Sequence, residues 1–408
     1  MALVIRPVAP AEQRALFEAI WTAFGEELLP DTMERDMRVF EPERLLAVVD
    51  GERIVGGGAL ISFQLTVPGG VAVAAAGVSA VGIMPTHRRQ GGLRALMLRM
   101  LADTRAAGEP LAILWASEGG IYGRFGYGLA SLAGWLELER DRAVFRAPAE
   151  WAGSVRLVDA AEAAQTFPPV HDELARTTPG FWARTPAWWE AQILADPEQW
   201  RRGASRKFYL LNERAGRPVG YATYRIKADW GDSGPKGTLS VIESLGIDAE
   251  ATRDVWRYLI GVDLIAKITA GPVQPDHPLL LMLAEPRRVG LRLGDGLWLR
   301  IVDVPAALSG RRYRGDGEIV LEVDDEVMPE VGGRWRLVAR AGQAEVVRTD
   351  QPAQLRLDVT DLGAAYLGAF TFDTLARAGR ATELADGALQ RADRLFGVDR
   401  PPWSPHIF

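Results

Sequence analysis

Residues 81–93 read Val81-Gly82-Ile83-Met84-Pro85-Thr86-His87-Arg88-Arg89-Gln90-Gly91-Gly92-Leu93. Upstream, residues 71–83 carry a strand pattern. Downstream, Leu93, Leu96, Met97, Met100 and Leu101 recur at helical spacing over 92–107. A strand therefore feeds a helix through a tight turn. The first amides of such a helix have no internal partners, and the macrodipole places about half a positive charge there. Gly91 and Gly92 remove side chains so that a diphosphate can approach the backbone, and Arg88 and Arg89 add charge. An Arg-Arg-x-Gly loop alone fits a solvated arginine pair equally well. The strand–turn–helix context favours an anion site.

Outward from that loop, 3–7 reads as a strand, 11–25 as a helix with an apolar face, and 45–49 as a strand ending at an Asp50-Gly51 hairpin turn. Its partner, 54–65, contains Gly56, Gly57 and Gly58, which weaken a strand or admit a bulge. Residues 111–116 form another strand, followed by a glycine-rich turn with a short helix over 117–128. A weak repeat follows. LLAVVDGERIVGGGA at 45–59 resembles FYLLNERAGRPVGYA at 208–222, and Val81-Gly82-Ile83 resembles Leu245-Gly246-Ile247. The second copy reads Asp248-Ala249-Glu250-Ala251-Thr252-Arg253-Asp254 where the first has its loop. It lacks glycines and carries acids, so two copies of one fold are expected, with only the first suited to a phosphorylated cofactor. Beyond Arg300 the pattern changes. Strands are expected at 317–323, 334–341 and 355–359, helices at 360–367 and 371–377, and the prolines of 401–405 prevent a final helix.

The 408 residues exceed one ordinary core, and the 48% hydrophobic and 25% charged composition is that of a soluble globular chain. A net charge of −6 gives no sign of nucleic-acid binding. Cysteine is absent, which removes disulfides, thiolate metal sites and a cysteine nucleophile. His87, His171, His277 and His406 form no local set with metal-ligand spacing, and no metal is expected. The N-terminus lacks a signal-peptide pattern and no long apolar run suggests a membrane span. A cytoplasmic enzyme is the expectation.

The loop resembles the acyl-CoA loop of GNAT-superfamily N-acetyltransferases, Arg/Gln-x-x-Gly-x-Gly/Ala, with Arg88 and Gly91 matching. Leu93, where that motif ends in a small residue, resembles instead the enhanced intracellular survival (Eis) branch of aminoglycoside N-acetyltransferases. The resemblance extends through residues 80–94, the ASEGGIYGRFGYG run at 116–128, 259–263, 296–301, 304–308 and 366–369. It implies an α+β (α/β) chain of tandem GNAT-type domains followed by a sterol-carrier-protein-like domain. The expected divisions are a catalytic domain at 1–148, a degenerate copy at 149–296, and a sterol-carrier-like domain at 297–408. It also implies a homohexamer.

Acetyl-CoA is the implied cosubstrate. The resemblance assigns its binding to Val81, Gly82, Ile83, Arg88, Arg89, Gln90, Gly91, Gly92, Leu93 and Arg94, with Ser117 and Glu118 nearby. It makes Tyr122 the general acid that protonates the departing thiolate; the residues alone do not separate Tyr122 from Tyr127 or from an ordinary core tyrosine. It makes the α-carboxylate of Phe408 the general base, against the plain reading of an ordinary chain end. Phe24, Glu26 and Glu27 match the aromatic and acidic substrate pocket, although a solvated carboxylate pair at a helix end explains the glutamates as well. Trp115 walls that pocket or simply fills a core. Ile407 stands at a position that is often acidic in characterised relatives. His87 is read as a loop residue. The implied reaction is direct acetyl transfer to a small-molecule amine of a bulky cation, aminoglycosides first. Protein-lysine or polyamine acetylation is an alternative, as is a lipid carrier or scaffold with vestigial acetyltransferase domains.

Overall fold

The computed structural model describes residues 3–147, 150–232 and 234–408. The chain separates into two compact units, 1–131 with 297–400 and 408, and 132–296 with 401–407.

In the first unit, β1 (Val4–Pro7), β2 (Leu45–Asp50), β3 (Arg53–Val67), β4 (Val71–Ile83) and β5 (Leu111–Trp115) follow one another across a sheet, and β6 (Gly128–Leu129) closes its far edge. Helix Gln13–Phe24 buries Leu16, Phe17 and Ile20, and helix Gly92–Ala106 buries Leu96, Met97, Met100 and Leu101. Both are amphipathic for the expected reason, apolar residues at three- and four-residue spacing. The glycines of β3 let them come close. A Cβ on Gly57 would meet Leu16 Cδ1 at 2.4 Å, and one on Gly58 would meet Met100 Cε at 2.6 Å. The β3–β4 register shifts between Gly57 and Ala59, so this glycine run does carry a bulge.

The second unit repeats the order with β7 (Leu132–Glu139), β8 (Ser154–Val158), β9 (Phe208–Arg214), β10 (Arg217–Lys227), the small hairpin β11 (Trp230–Gly231) and β12 (Gly234–Pro235), β13 (Gly237–Gly246), β14 (Ile265–Val273) and β15 (Arg292–Asp295). Its sheet runs β8-β9-β10-β13-β14-β7-β15. The two hairpins β2–β3 and β9–β10 coincide with the repeat read at 45–59 and 208–222. A core of Trp256, Leu239, Ile268, Val255 and Leu259 lies under helix Ala249–Gly261.

Two strands depart from simple tandem copies. β7 follows β6 in sequence but lies between β14 and β15, whereas β16 (Leu297–Ile301) lies between β5 and β6 in the first sheet. The compact units part at Ser131/Leu132, because β7 finds its ladder in the second sheet. The expected boundary at Pro148/Ala149 lies outside the described residues. Residues 297–301 complete the first sheet.

The sterol-carrier-like region forms its own sheet, β19-β18-β17-β20-β21, from β17 (Gly317–Asp324), β18 (Gly333–Arg340), β19 (Gln343–Arg348), β20 (Leu355–Asp358) and β21 (Ala381–Glu383). Helices Val359–Tyr366, Phe372–Arg377 and Ala388–Phe396 accompany it. The buried Arg311 guanidinium stacks over Phe396 at 4.5 Å and donates to the carbonyls of Tyr366 (2.5 Å) and Phe396 (2.9 Å), which satisfies a cation that pairs with no carboxylate among the described residues. Residues 401–407 pack within the second unit, with Trp403 N–H donating to Pro179 O at 3.0 Å and His406 edge-on to Trp188. Among the described residues no helix is long and apolar enough to cross a membrane.

Candidate active site

β4 and β5 run parallel and pair only at Ala75↔Leu111, Ala76↔Ala112 and Gly77↔Ile113. Beyond Gly77 the strands part. β5 stays fully laddered to β16 as far as Trp115, so the free edge belongs to the last residues of β4. Ala80 takes a left-handed φ of 52° at the β3–β4 bulge, which turns this end of the strand. Val81, Gly82 and Ile83 thus offer backbone groups along an open edge, the arrangement an extended amide-bearing ligand arm can pair with.

The loop follows at once. Met84 N–H donates to Val55 O at 2.9 Å, and Arg88 folds back, Nε to Ile83 O at 3.2 Å and Nη2 to Ala23 O at 2.8 Å. Arg88 thereby ties the loop to the end of helix Gln13–Phe24 as well as adding charge. Arg89 sits at φ 62°, an uncommon conformation for a side-chain-bearing residue. Gln90 is exposed and reaches Thr86 O at 3.4 Å. Gly91, at φ 85° and ψ −6°, precedes the helix, and no side chain caps the amides of Gly92, Leu93 and Arg94. A Cβ on Gly91 would touch nothing within 4 Å, so the space before those amides is open. Gly92 differs: it is buried, and its Cβ would lie 2.8 Å from Leu3 Cδ1. The residues present fit a diphosphate. His87 is engaged locally, by Thr86 Oγ1 at 2.8 Å and Asp50 at 3.5 Å, in keeping with a loop role.

β5 leads through exposed Ser117 and Glu118 into helix Gly119–Tyr122 and the turn Gly123–Phe125. Tyr122 is 6% exposed. Burial pushes its phenol up from the ordinary tyrosine value; the Ser117 side chain opposes that rise and the charge of Glu118 adds to it. Tyr122 is therefore protonated at neutral pH and holds a proton to give. Tyr127 packs edge-on behind it, ring centroids 6.2 Å apart, and is fully buried. Residue types alone did not separate the two tyrosines. Their burial differs slightly, Tyr122 keeping 6% exposure and Tyr127 none.

The Phe408 ring packs edge-on against Phe63 of β3 at 4.8 Å, and a Cβ on Gly77 would fall 2.9 Å from its Cε2. Gly77 is the last paired residue before β4 and β5 part, so Phe408 sits at the mouth of the split. Trp115 is half-buried at the end of β5, with an indole N–H that no described protein group accepts. Phe24 is 48% exposed at a helix end, and Glu26 and Glu27 follow it, exposed. Ile407 is half exposed. Phe63, Gly77 and the Ala80 bulge were not legible as site residues, because only the strand register reveals where the sheet opens.

In the second copy the corresponding helix, Ala249–Gly261, begins at Asp248, whose carboxylate accepts from Ala251 N–H at 2.8 Å and pairs with Arg214 at 3.0 Å. Its own side chain occupies the anion position.

Comparison with known proteins agrees with this geometry. Residues 4–130 and 180–301 match acetyltransferase (GNAT) domain families, and residues 304–405 a sterol carrier protein domain family. An uncharacterized N-acetyltransferase of Streptomyces avermitilis is 39% identical, with both chains covered in full. The N-acetyltransferase Eis of Mycobacterium tuberculosis is 38% identical over 86% of this chain and 85% of its own. The crystal structure of Eis1 from Mycobacterium abscessus superposes with a TM-score of 0.84 at 31% identity, covering 99% of this chain and 100% of that one. With tandem GNAT domains, a sterol-carrier domain and full-length relatives of this kind, the chain is an acetyltransferase and belongs to the Eis family of N-acetyltransferases.

Proposed function

We propose that the protein transfers an acetyl group from acetyl-CoA to a primary amine of a bulky cationic small molecule, aminoglycosides being the leading acceptors. The observation that carries the reading is the uncapped helix start at Gly91-Gly92 beside the parted strands β4 and β5, with the protonated Tyr122 at the end of β5. Acetyl-CoA supplies a thioester whose carbonyl an amine attacks. The amides of Gly92, Leu93 and Arg94, with Arg88, Arg89 and Gln90, hold the pyrophosphate. The free edge of Val81–Ile83 aligns the pantetheine arm, with Ser117 and Glu118 alongside. Tyr122 gives its proton to the departing sulfur. The α-carboxylate of Phe408, ionised above its reference pKa of about 3.5, accepts the proton of the substrate ammonium. Phe24, Glu26, Glu27 and Trp115 border the acceptor. Both substrates are bound together, and a cytoplasmic homohexamer is the working assembly.

Thiol release from acetyl-CoA, followed with a panel of aminoglycosides, polyamines and a lysine peptide, tests the reading. Release with aminoglycosides and little with the others is expected. No release with any amine overturns it in favour of a carrier or scaffold. Tyr122→Phe should lower turnover on the order of a hundredfold with little change in acetyl-CoA affinity. A few residues added after Phe408 should abolish turnover without unfolding the protein, and full activity of the extended chain removes the terminal base from the mechanism.

A further inference from the structure

Behind Tyr122 lies a buried polar cluster to which the acetyl-transfer reading gives no task. Arg300, on β16, is completely buried, as is the side chain of its partner Asp325. Nη2 of the guanidinium donates to Asp325 Oδ2 at 2.6 Å. The carboxylate is itself fixed, because Oδ1 accepts the amides of Val327 (3.1 Å) and Met328 (2.9 Å). That clamp sets the orientation of the planar guanidinium. Its remaining edge, Nε and Nη1, is buried and donates to no described protein group.

The same edge faces the turn that carries the acid. A Cβ on Gly126 would lie 2.6 Å from Nη1 and 2.9 Å from Nε, so the guanidinium is seated directly against the Gly126 backbone. The neighbouring residue, Tyr127, is fully buried, and its hydroxyl is likewise without a partner among the described protein groups. Burial pushes that hydroxyl far above the usual tyrosine value, with Arg300 close enough to oppose the rise. Tyr127 contacts Tyr122 in two ways. Its N–H donates to Tyr122 O at 3.4 Å, and its ring forms one wall of the Tyr122 ring.

Orphaned buried donors are rare, and where two or more converge in a polar recess the usual partner is an internal water making two to four hydrogen bonds. We propose that Arg300 and Tyr127 are positioning residues for Tyr122, sharing an internal water that locks the Gly123–Tyr127 turn behind the acid, with Asp325 aligning the guanidinium from the sterol-carrier-like side. This rests on the assignment of Tyr122 as the acid. The water accepts from the free guanidinium edge and exchanges a hydrogen bond with Tyr127 Oη. The hydroxyl, although remote from the reacting atoms, then holds the Tyr122 phenol in register.

The test is a double-mutant cycle on the full-length enzyme. Tyr127→Phe removes one oxygen. It is expected to lower kcat on the order of tenfold, as misplacement of a catalytic group does, while KM for acetyl-CoA and the melting temperature stay near those of the parent. In a Tyr122→Phe background the same substitution should cost nothing further, which a merely structural role would not produce. Unchanged kcat in Tyr127→Phe, or an equal further loss in the Tyr122→Phe background, overturns the proposal. A crystal structure resolving ordered waters provides an independent arm. Density bridging Tyr127 Oη and the Nε/Nη1 edge of Arg300 supports it, and density showing the two groups without a shared water overturns it. If Tyr122→Phe alone leaves turnover unchanged, the acid assignment has failed, and the crystallographic arm by itself decides whether Arg300 and Tyr127 share the water.

Discussion

Replacing Gly91 by alanine isolates the conformational part of the cofactor loop. The residue stands at φ 85°, and its Cβ would meet nothing within 4 Å. Alanine therefore meets no steric obstacle from the fold; its entire cost is the left-handed backbone, about 1–2 kcal/mol for a residue with a Cβ. In the free protein the variant loop can relax to negative φ and avoid most of that cost. It must return to the left-handed state when the amides of Gly92, Leu93 and Arg94 close on the pyrophosphate. The penalty then appears in binding. At 1.4 kcal/mol per tenfold, acetyl-CoA should bind about five- to thirtyfold more weakly, with thermal stability nearly unchanged. Gly91→Asn is the control, because asparagine visits this region at little cost, and it should bind within a few-fold of the parent. Isothermal titration with acetyl-CoA measures both. Parental affinity in Gly91→Ala, or an equal loss in Gly91→Asn, would refute the argument that the loop works through this backbone conformation.

Three further outcomes follow from packing and charge. Gly128→Ala places a methyl 1.9 Å from Thr360 O and 2.6 Å from Ala364 N, both backbone atoms of helix Val359–Tyr366 or its border; a loss of about 1–3 kcal/mol in denaturant-measured stability is expected, and none would mean this approach is not tight. His171 and His277 are buried and His406 is half-buried with its Nε2 enclosed, and removal from water pushes their pKa values down to about 4, about 3 and about 3. Each binds its proton more readily unfolded, so the stability of neutral burial is complete above about pH 6.5. It falls as pH drops toward those values, by up to about 1.4 kcal/mol per pH unit per histidine. A melting temperature flat from pH 6.5 to 4.5 would contradict this. Asp248→Ala removes a helix cap and should cost about 0.5–2 kcal/mol, without creating a second acetyl-CoA site by titration.

The parts of the fold legible in the sequence were those written in local pattern. β4 and helix Gly92–Ala106 follow from periodicity, and the hairpins β2–β3 and β9–β10 from their turns. The β7–β16 arrangement was not legible. LAGWLELE and LWLRI read as strands of ordinary composition, and which ladder each joins is decided by long-range pairing that local sequence does not encode. Helix Ala388–Phe396 was missed for another reason. It begins after a left-handed Gly387 with no capping side chain to mark its start, although Ala388, Ala392, Leu395 and Phe396 fall on one buried face. In the site, Arg88 and the loop glycines announced themselves by type and spacing. Arg300 did not. An arginine inside an apolar strand signals a buried cation only once Asp325, remote in sequence, is seen to clamp it.

The two helix starts show how one backbone design gains or loses an anion. Met84 N–H bonds to Val55 O at 2.9 Å, and Ile247 N–H to Val219 O at the same distance, so both copies tie the strand end to the preceding hairpin alike. Both also carry a parallel strand pair that stops laddering before the strand ends, at Gly77↔Ile113 and at Val241↔Ala270. What differs is what stands before the first amides. The first copy leaves an uncapped terminus behind a glycine and two arginines. The second supplies Asp248 as its own cap and neutralises it with Arg214. A capped terminus has spent its orphan amides, and a phosphate arriving there would meet a carboxylate. The decayed site is thus a stabilised helix end. The open one forgoes that stabilisation, and under the proposed function a bound diphosphate would supply the negative charge that Asp248 supplies in the second copy.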